Sequence, residues 1–162
     1  MAWVYFFEAR YDSAMIYIRK NEELNPDFFQ PYRLEGLIYL QQGKGIEALK
    51  LFQKAVDLSG NNPEELAYLG YAYAKLGNSQ EAEKIIATLK QLQGDSKMLS
   101  FPIAMVYAGY QDKIKTFEYL EMARQENTAD IMLVDVFPQF DFLKKDDQYK
   151  SFVKKTGIIY LK

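Results

Sequence analysis

Four tyrosines, Tyr5, Tyr39, Tyr73 and Tyr107, stand 34 residues apart, and their neighbours keep the same phase. Three positions before each tyrosine lies a small residue: Ala2, Gly36, Gly70 and Ala104. Nine positions after come Ala14, Ala48, Ala82 and Thr116, and four further on Ile18, Phe52, Ile86 and Leu120. Several columns sharing one register over four units imply a repeat architecture, in which each unit buries its apolar face against its neighbours. Within a unit the apolar spacing is helical. Ile46, Leu49, Phe52 and Val56 step by threes and fours, as do Leu66, Leu69, Tyr73 and Leu76. Strand-like alternation is absent, so the expected fold is all-α.

The columns have a physical reading. Small residues let two antiparallel helices approach closely, where a larger side chain would overpack the contact. Tyrosines and large aliphatic residues fill the space between hairpins. Turn residues fall between the helical runs: Gly43 and Gly45 in one unit, Gly77-Asn78 in the next. Asn25-Pro26, Gly60-Asn61-Asn62-Pro63 and Gly94-Asp95-Ser96 separate successive hairpins. Ser100, just ahead of Pro102, is expected to cap a shortened helix.

Composition then removes several function classes. The 162 residues are 49% apolar and 26% charged, with a net charge of −2, which describes a folded, soluble domain. Near-neutral charge argues against nucleic acid, which demands a basic stripe. Lys144, Lys145, Lys150, Lys154 and Lys155 cluster near the end and read as the solvated face of a terminal helix. There is no cysteine and no histidine, so disulfides, thiolate metal sites and the usual general base are excluded. Glu22-Glu23, Glu64-Glu65 and Asp146-Asp147 are adjacent acids, and adjacent helical residues diverge, so they read as solvated or first-turn charges. No glycine cluster follows a strand and no calcium loop is present, so neither catalysis nor a cofactor is expected. No apolar run is long enough to span a bilayer, and the Met1–Phe7 start lacks the marks of a signal peptide. A cytoplasmic location is the expectation, and the start looks like a cut made inside a helix.

The columns resemble the tetratricopeptide repeat. Leu66, Leu69, Gly70 and Tyr73, followed by Ala82 and Ile86, match its signature; so do Gly36, Tyr39, Ala48, Phe52 and Ala55. The resemblance covers residues 1 to about 126. It implies a right-handed superhelical solenoid of about four hairpins, at 1–28 (truncated at its start), 29–62, 63–96 and 97–127, with a cap over 128–162. The fourth is the most divergent, with Thr116 in the alanine column. The tail, Asp135 to Ile158, is similar to segments that close the repeat regions of bacterial multidomain regulators. Phe140, Leu143, Tyr149, Phe152 and Val153 are expected to cover the last hairpin.

The resemblance also implies where a ligand sits, because the first helices of such hairpins line a concave face. The positions carried over for a partner polypeptide are Trp3, Phe6, Phe7, Arg33, Leu37, Leu40, Gln41, Tyr71, Lys75, Phe101 and Met105, with Glu64, Ala67, Ala74 and Met98 beside them. Members that clamp a C-terminal carboxylate use asparagines and basic residues there. Leu37, Tyr68, Met98 and Pro102 stand in their places and only Arg33 fits, so that reading is rejected. Trp3, Phe6 and Phe7 suit packing against a preceding repeat, or self-association through an aromatic start. Part of the groove suits coverage by the chain's own tail. The expectation is a non-catalytic scaffold for another polypeptide or a neighbouring domain. The alternative is a sensory module of a larger bacterial signalling protein. RNA binding is disfavoured by Glu64, Tyr71 and Met105 on the inner face.

Overall fold

The computed structural model describes residues 1–94 and 98–156, and Asp95, Ser96 and the tail's Ile158 lie outside that set. The described residues contain nine α-helices and two 3-10 helices: α1 (Ala2–Phe7), α2 (Tyr11–Leu24), α3 (Phe29–Gln41), α4 (Gly45–Leu58), α5 (Pro63–Lys75), α6 (Ser79–Gln93), α7 (Ser100–Gly109), α8 (Lys113–Glu126), the 3-10 helices Ala129–Leu133 and Pro138–Leu143, and α9 (Asp147–Lys155). The helices pair in sequence as hairpins, α1 with α2 through α7 with α8, and α5 also packs closely on α7. The chain is a helical-repeat solenoid.

The turn inside each hairpin is one structure repeated four times. The backbone N–H groups of Arg10, Lys44, Asn78 and Asp112 donate to the carbonyls of Tyr5, Tyr39, Tyr73 and Tyr107 at 2.8, 2.8, 2.9 and 3.3 Å. This is the bond that closes a helix on a left-handed residue. That residue is Ala9, Gly43, Gly77 or Gln111, with φ of 55°, 76°, 81° and 56°. The tyrosine column thus marks both an interhelical contact and a helix end. Asn62 caps α5 by accepting from the Glu64 N–H at 2.9 Å, with Pro63 in the first turn.

Columns that carry small residues are contact points. A Cβ at Gly36 would lie 3.0 Å from the Phe52 ring, and one at Gly70 would lie 2.8 Å from Val106 and 2.9 Å from Ile85. Ala14, Ala48, Ala82 and Thr116 are wholly buried beside Ile18, Phe52, Ile86 and Leu120. Gly109 brings α7 against α5, where a Cβ would stand 2.5 Å from the Tyr71 carbonyl oxygen. Gly45 begins α4 rather than lying in the turn, and its missing side chain leaves room for Leu76 of the following hairpin.

Ser100 departs from expectation. It is the first residue of α7 and caps nothing; its hydroxyl and its N–H both donate to the Glu126 carboxylate, fastening α7 to the end of α8. The tail after α8 turns inward. Phe140, Leu143, Tyr149, Phe152 and Val153 are buried as expected, and Ile131, Val134 and Phe137 join them. Tyr149 of α9 packs its ring on Phe117 of α8, while Phe137 and Phe140 pack on Phe101 of α7, at centroid distances of 6.3, 5.7 and 5.6 Å. Lys154 and Lys155 stay exposed in the last turn of α9, where cations suit the helix dipole.

Candidate functional site

The inner face is built from α1, α3, α5 and α7, and the tail lies across part of it. This placement decides the state of every candidate residue. Phe7 is 44% exposed, Gln41 and Lys75 are also exposed, and Trp3 is half-buried. Phe6, Leu37, Leu40, Tyr71, Phe101 and Met105 are buried, and so is Arg33. An apolar floor open to a partner is therefore corrected at those positions. The side chains expected to meet a ligand meet neighbouring helices, and α7's Phe101 meets the chain's own Phe137 and Phe140.

Arg33 is the centre of the polar part. Its Nη1 donates to Glu64 Oε1 at 2.6 Å and to Glu65 Oε1 at 2.8 Å, so one guanidinium bridges α3 to the first turn of α5. Its guanidinium carbon lies 4.9 Å from the Tyr68 ring centre and 5.4 Å from that of Trp3, which adds cation–π attraction from α1 and α5. Glu65 is not the solvated first-turn charge that its position in the sequence implies. Its side chain is fully buried, and Oε2 has no hydrogen-bond partner. Burial pushes its carboxyl up to about 7; the Arg33 guanidinium partly offsets this, and the Glu64 charge adds to the rise. Asp130, on the first 3-10 helix, is also held above the usual carboxylate range, first by burial and then by Glu64. Buried phenols follow the same physics: Tyr71 is pushed up to about 12 by burial, with Asp141 of the tail adding to it. Sequence reasoning missed Glu65 and Asp130. The signal for Glu65 was available, since it lies 32 residues after Arg33 and so at nearly the same height one hairpin on.

Among the described residues, three of the cavities along the tail lie between it and the inner helices. One of about 220 Å³ lies between α5, α7 and the first 3-10 helix, walled by Tyr68, Phe101, Met105 and Phe137 with Glu64 and Asp130. A second of about 230 Å³ gathers Gln41, Tyr71 and Lys75 with Pro138, Gln139 and Asp141. The third, about 260 Å³, joins Phe6, Phe7 and Gln41 to Val136, Asp141 and Lys144. The last two share Gln41, Pro138 and Asp141, so they form one strip along the tail's edge at the C-terminal ends of α1, α3, α5 and α7. That strip brings Phe7, Gln41 and Lys75 together; Phe101 and Met105 belong to the other side.

The remaining acids are accounted for structurally. Glu22 sits beside Glu35 rather than acting with Glu23, and burial followed by Glu35 pushes it up to about 7. Asp146 caps α9 through the Gln148 N–H at 2.9 Å, and Asp147 pairs with Lys150 at 2.7 Å. Among the described residues, no group of three or more His, Cys, Asp or Glu is disposed to hold a metal, and no helix is long and apolar enough to cross a membrane.

Stacked antiparallel hairpins with a 34-residue turn-and-contact register define a helical-repeat array. Residues 39–100 match the family model of the tetratricopeptide repeat, and this stretch of the chain carries the repeat. It is 29% identical over 117 residues to the human interferon-induced protein with tetratricopeptide repeats 2, covering 64% of this chain and 25% of that protein. It is 32% identical over 71 residues to a TPR repeat-containing protein of Methanocaldococcus jannaschii, covering 44% of this chain and 21% of the other. The chain thus spans about a quarter or less of the length of these curated relatives. Tetratricopeptide repeats generally mediate protein–protein contact, and the fold itself is non-catalytic.

Proposed function

We propose that the chain is a non-catalytic scaffold that holds a partner polypeptide along the open strip of its inner face. The observation carrying this reading is the strip itself, in which exposed Phe7, Gln41 and Lys75 face Pro138, Asp141 and Lys144 across connected cavities. An aromatic anchor bordered by both signs of charge suits an extended segment with an apolar residue near a polar or charged one. Of the other inner-face candidates, Trp3 and Arg33 hold α1 and α3 in place, while Phe6, Leu37, Leu40 and Tyr71 support the floor beneath. Phe101 and Met105 line the separate cavity on the far side of the tail.

The reading is tested by selecting peptides from a phage-displayed library on the intact chain. Gln41→Arg and Phe7→Ser are expected to weaken the selected peptides about tenfold, roughly 1.4 kcal/mol. Lys84→Ala, on the exposed side of α6, should leave them unchanged. Peptides indifferent to the inner substitutions but lost with the outer one would overturn the proposal.

A further inference from the structure

We propose that the cavity between α5, α7 and the first 3-10 helix takes the side chain of a lysine or arginine presented by a partner polypeptide. The inference rests on the scaffold reading and names a chemical class of guest for a second site, across the tail from the open strip.

Lining and shape carry the first part of the argument. Tyr68, Phe101, Met105 and Phe137 give the roughly 220 Å³ cavity apolar and aromatic walls, while Glu64 and Asp130 bring carboxylates to the same space. Glu64 has a side chain 48% exposed, so the acidic end is reachable from solvent. Lysine and arginine have this same division, an apolar stem behind a cationic head. A carboxylate pairs best with such a head when it is partly withdrawn from water.

Charge balance carries the second part. Among the described residues, Arg33 is the cation facing Glu64, Glu65 and Asp130, and it is already bonded to the first two. No lysine or arginine among the described residues lines the cavity. Asp130 remains held above the usual carboxylate range by burial and then by Glu64, despite Arg33 nearby. A second cation would relieve that repulsion. An anionic guest would add to it, and a purely apolar guest would strip water from two carboxylates with nothing in exchange.

The test uses chain labelled with ¹³C at its methionine methyls, with Met105 as the reporter in the cavity wall. The probes are the Nα-acetyl N-methylamides of lysine, arginine, norleucine and glutamate. Lysine and arginine derivatives are expected to shift the Met105 methyl at concentrations about tenfold or more below those needed for norleucine, and glutamate to leave it unmoved. Asp130→Asn and Glu64→Gln should each shrink the preference, and the double variant should abolish it; Lys84→Ala should retain it. Norleucine binding as well as lysine, or a preference that survives the double variant, would overturn the inference. If the selected peptides depend on Gln41 and Phe7 yet the cavity shows no preference for a cation, the scaffold reading stands and this one falls. A cation preference in a chain whose peptides ignore the inner face would overturn the cavity as a site for a polypeptide.

Discussion

At the scale of single residues, the repeat shows its compromises where an identity leaves its column. Gly43 and Gly77 occupy the left-handed turn position without strain, whereas Ala9 and Gln111 adopt the same conformation with a Cβ. Each non-glycine there costs about 1–2 kcal/mol in backbone strain, offset in part by the entropy a glycine would add to the unfolded chain. Gln111→Gly is therefore expected to stabilise the chain by about 0.5–1 kcal/mol, read from a higher urea midpoint at unchanged slope. A lower midpoint would show that the Gln111 side chain contributes more than its backbone costs. Thr116 is a second departure, buried in the alanine column with its hydroxyl unpartnered. Thr116 was visible in the sequence as a break in its column. The turn geometry was not, because a 34-residue register places the tyrosines without revealing that their carbonyls close the helix ends.

At the scale of helices, one link that shapes pH behaviour is the bridge from α3 to α5. Glu65 has a carboxyl raised from 4.5 to about 7, and Glu22 of α2, beside Glu35 of α3, is raised as far. A carboxyl raised on folding stabilises the chain in its protonated form, so this contribution is complete below about 4.5 and is lost as pH climbs through about 7. The chain is expected to be more stable to urea at pH 5 than at pH 8, and Glu65→Gln should flatten that difference. An unchanged difference in the variant would place its origin elsewhere. The hairpins themselves were legible, since the apolar steps, small columns and Asn62-Pro63 signal each have a local cause. Glu65 was misread because its neighbours in sequence describe only α5, while its burial comes from α3 one repeat earlier. Ser100 was misread for the same reason: the partner that claims it, Glu126, belongs to the far end of its own hairpin.

At the scale of the whole molecule, the tail is the feature that local patterning could not place. Its apolar residues promised burial and suited coverage of part of the groove, but the period carries no information about a segment lacking the repeat, so which inner-face residues it covers was not legible. Ile131, Val134, Phe137, Phe140 and Leu143 are all buried, and removing side chains of this kind costs about 1.5–3 kcal/mol each in lost burial. Against a typical total of about 5–15 kcal/mol, such a segment is part of the fold rather than a detachable cover. Phe140→Ala is expected to cost about 3–5 kcal/mol, measured by urea unfolding. A loss under about 1 kcal/mol would mean the tail leaves the inner face easily. Stacked hairpins touching only their neighbours behave like a coil spring, able to lengthen or fray one turn at a time. Here a chord from the last turn runs back along the inside of the coil, packing on α7 and α8 and closing cavities against α1, α3 and α5. A spring with such a chord keeps a fixed pitch, so whatever it grips meets a rigid bracket rather than an elastic one.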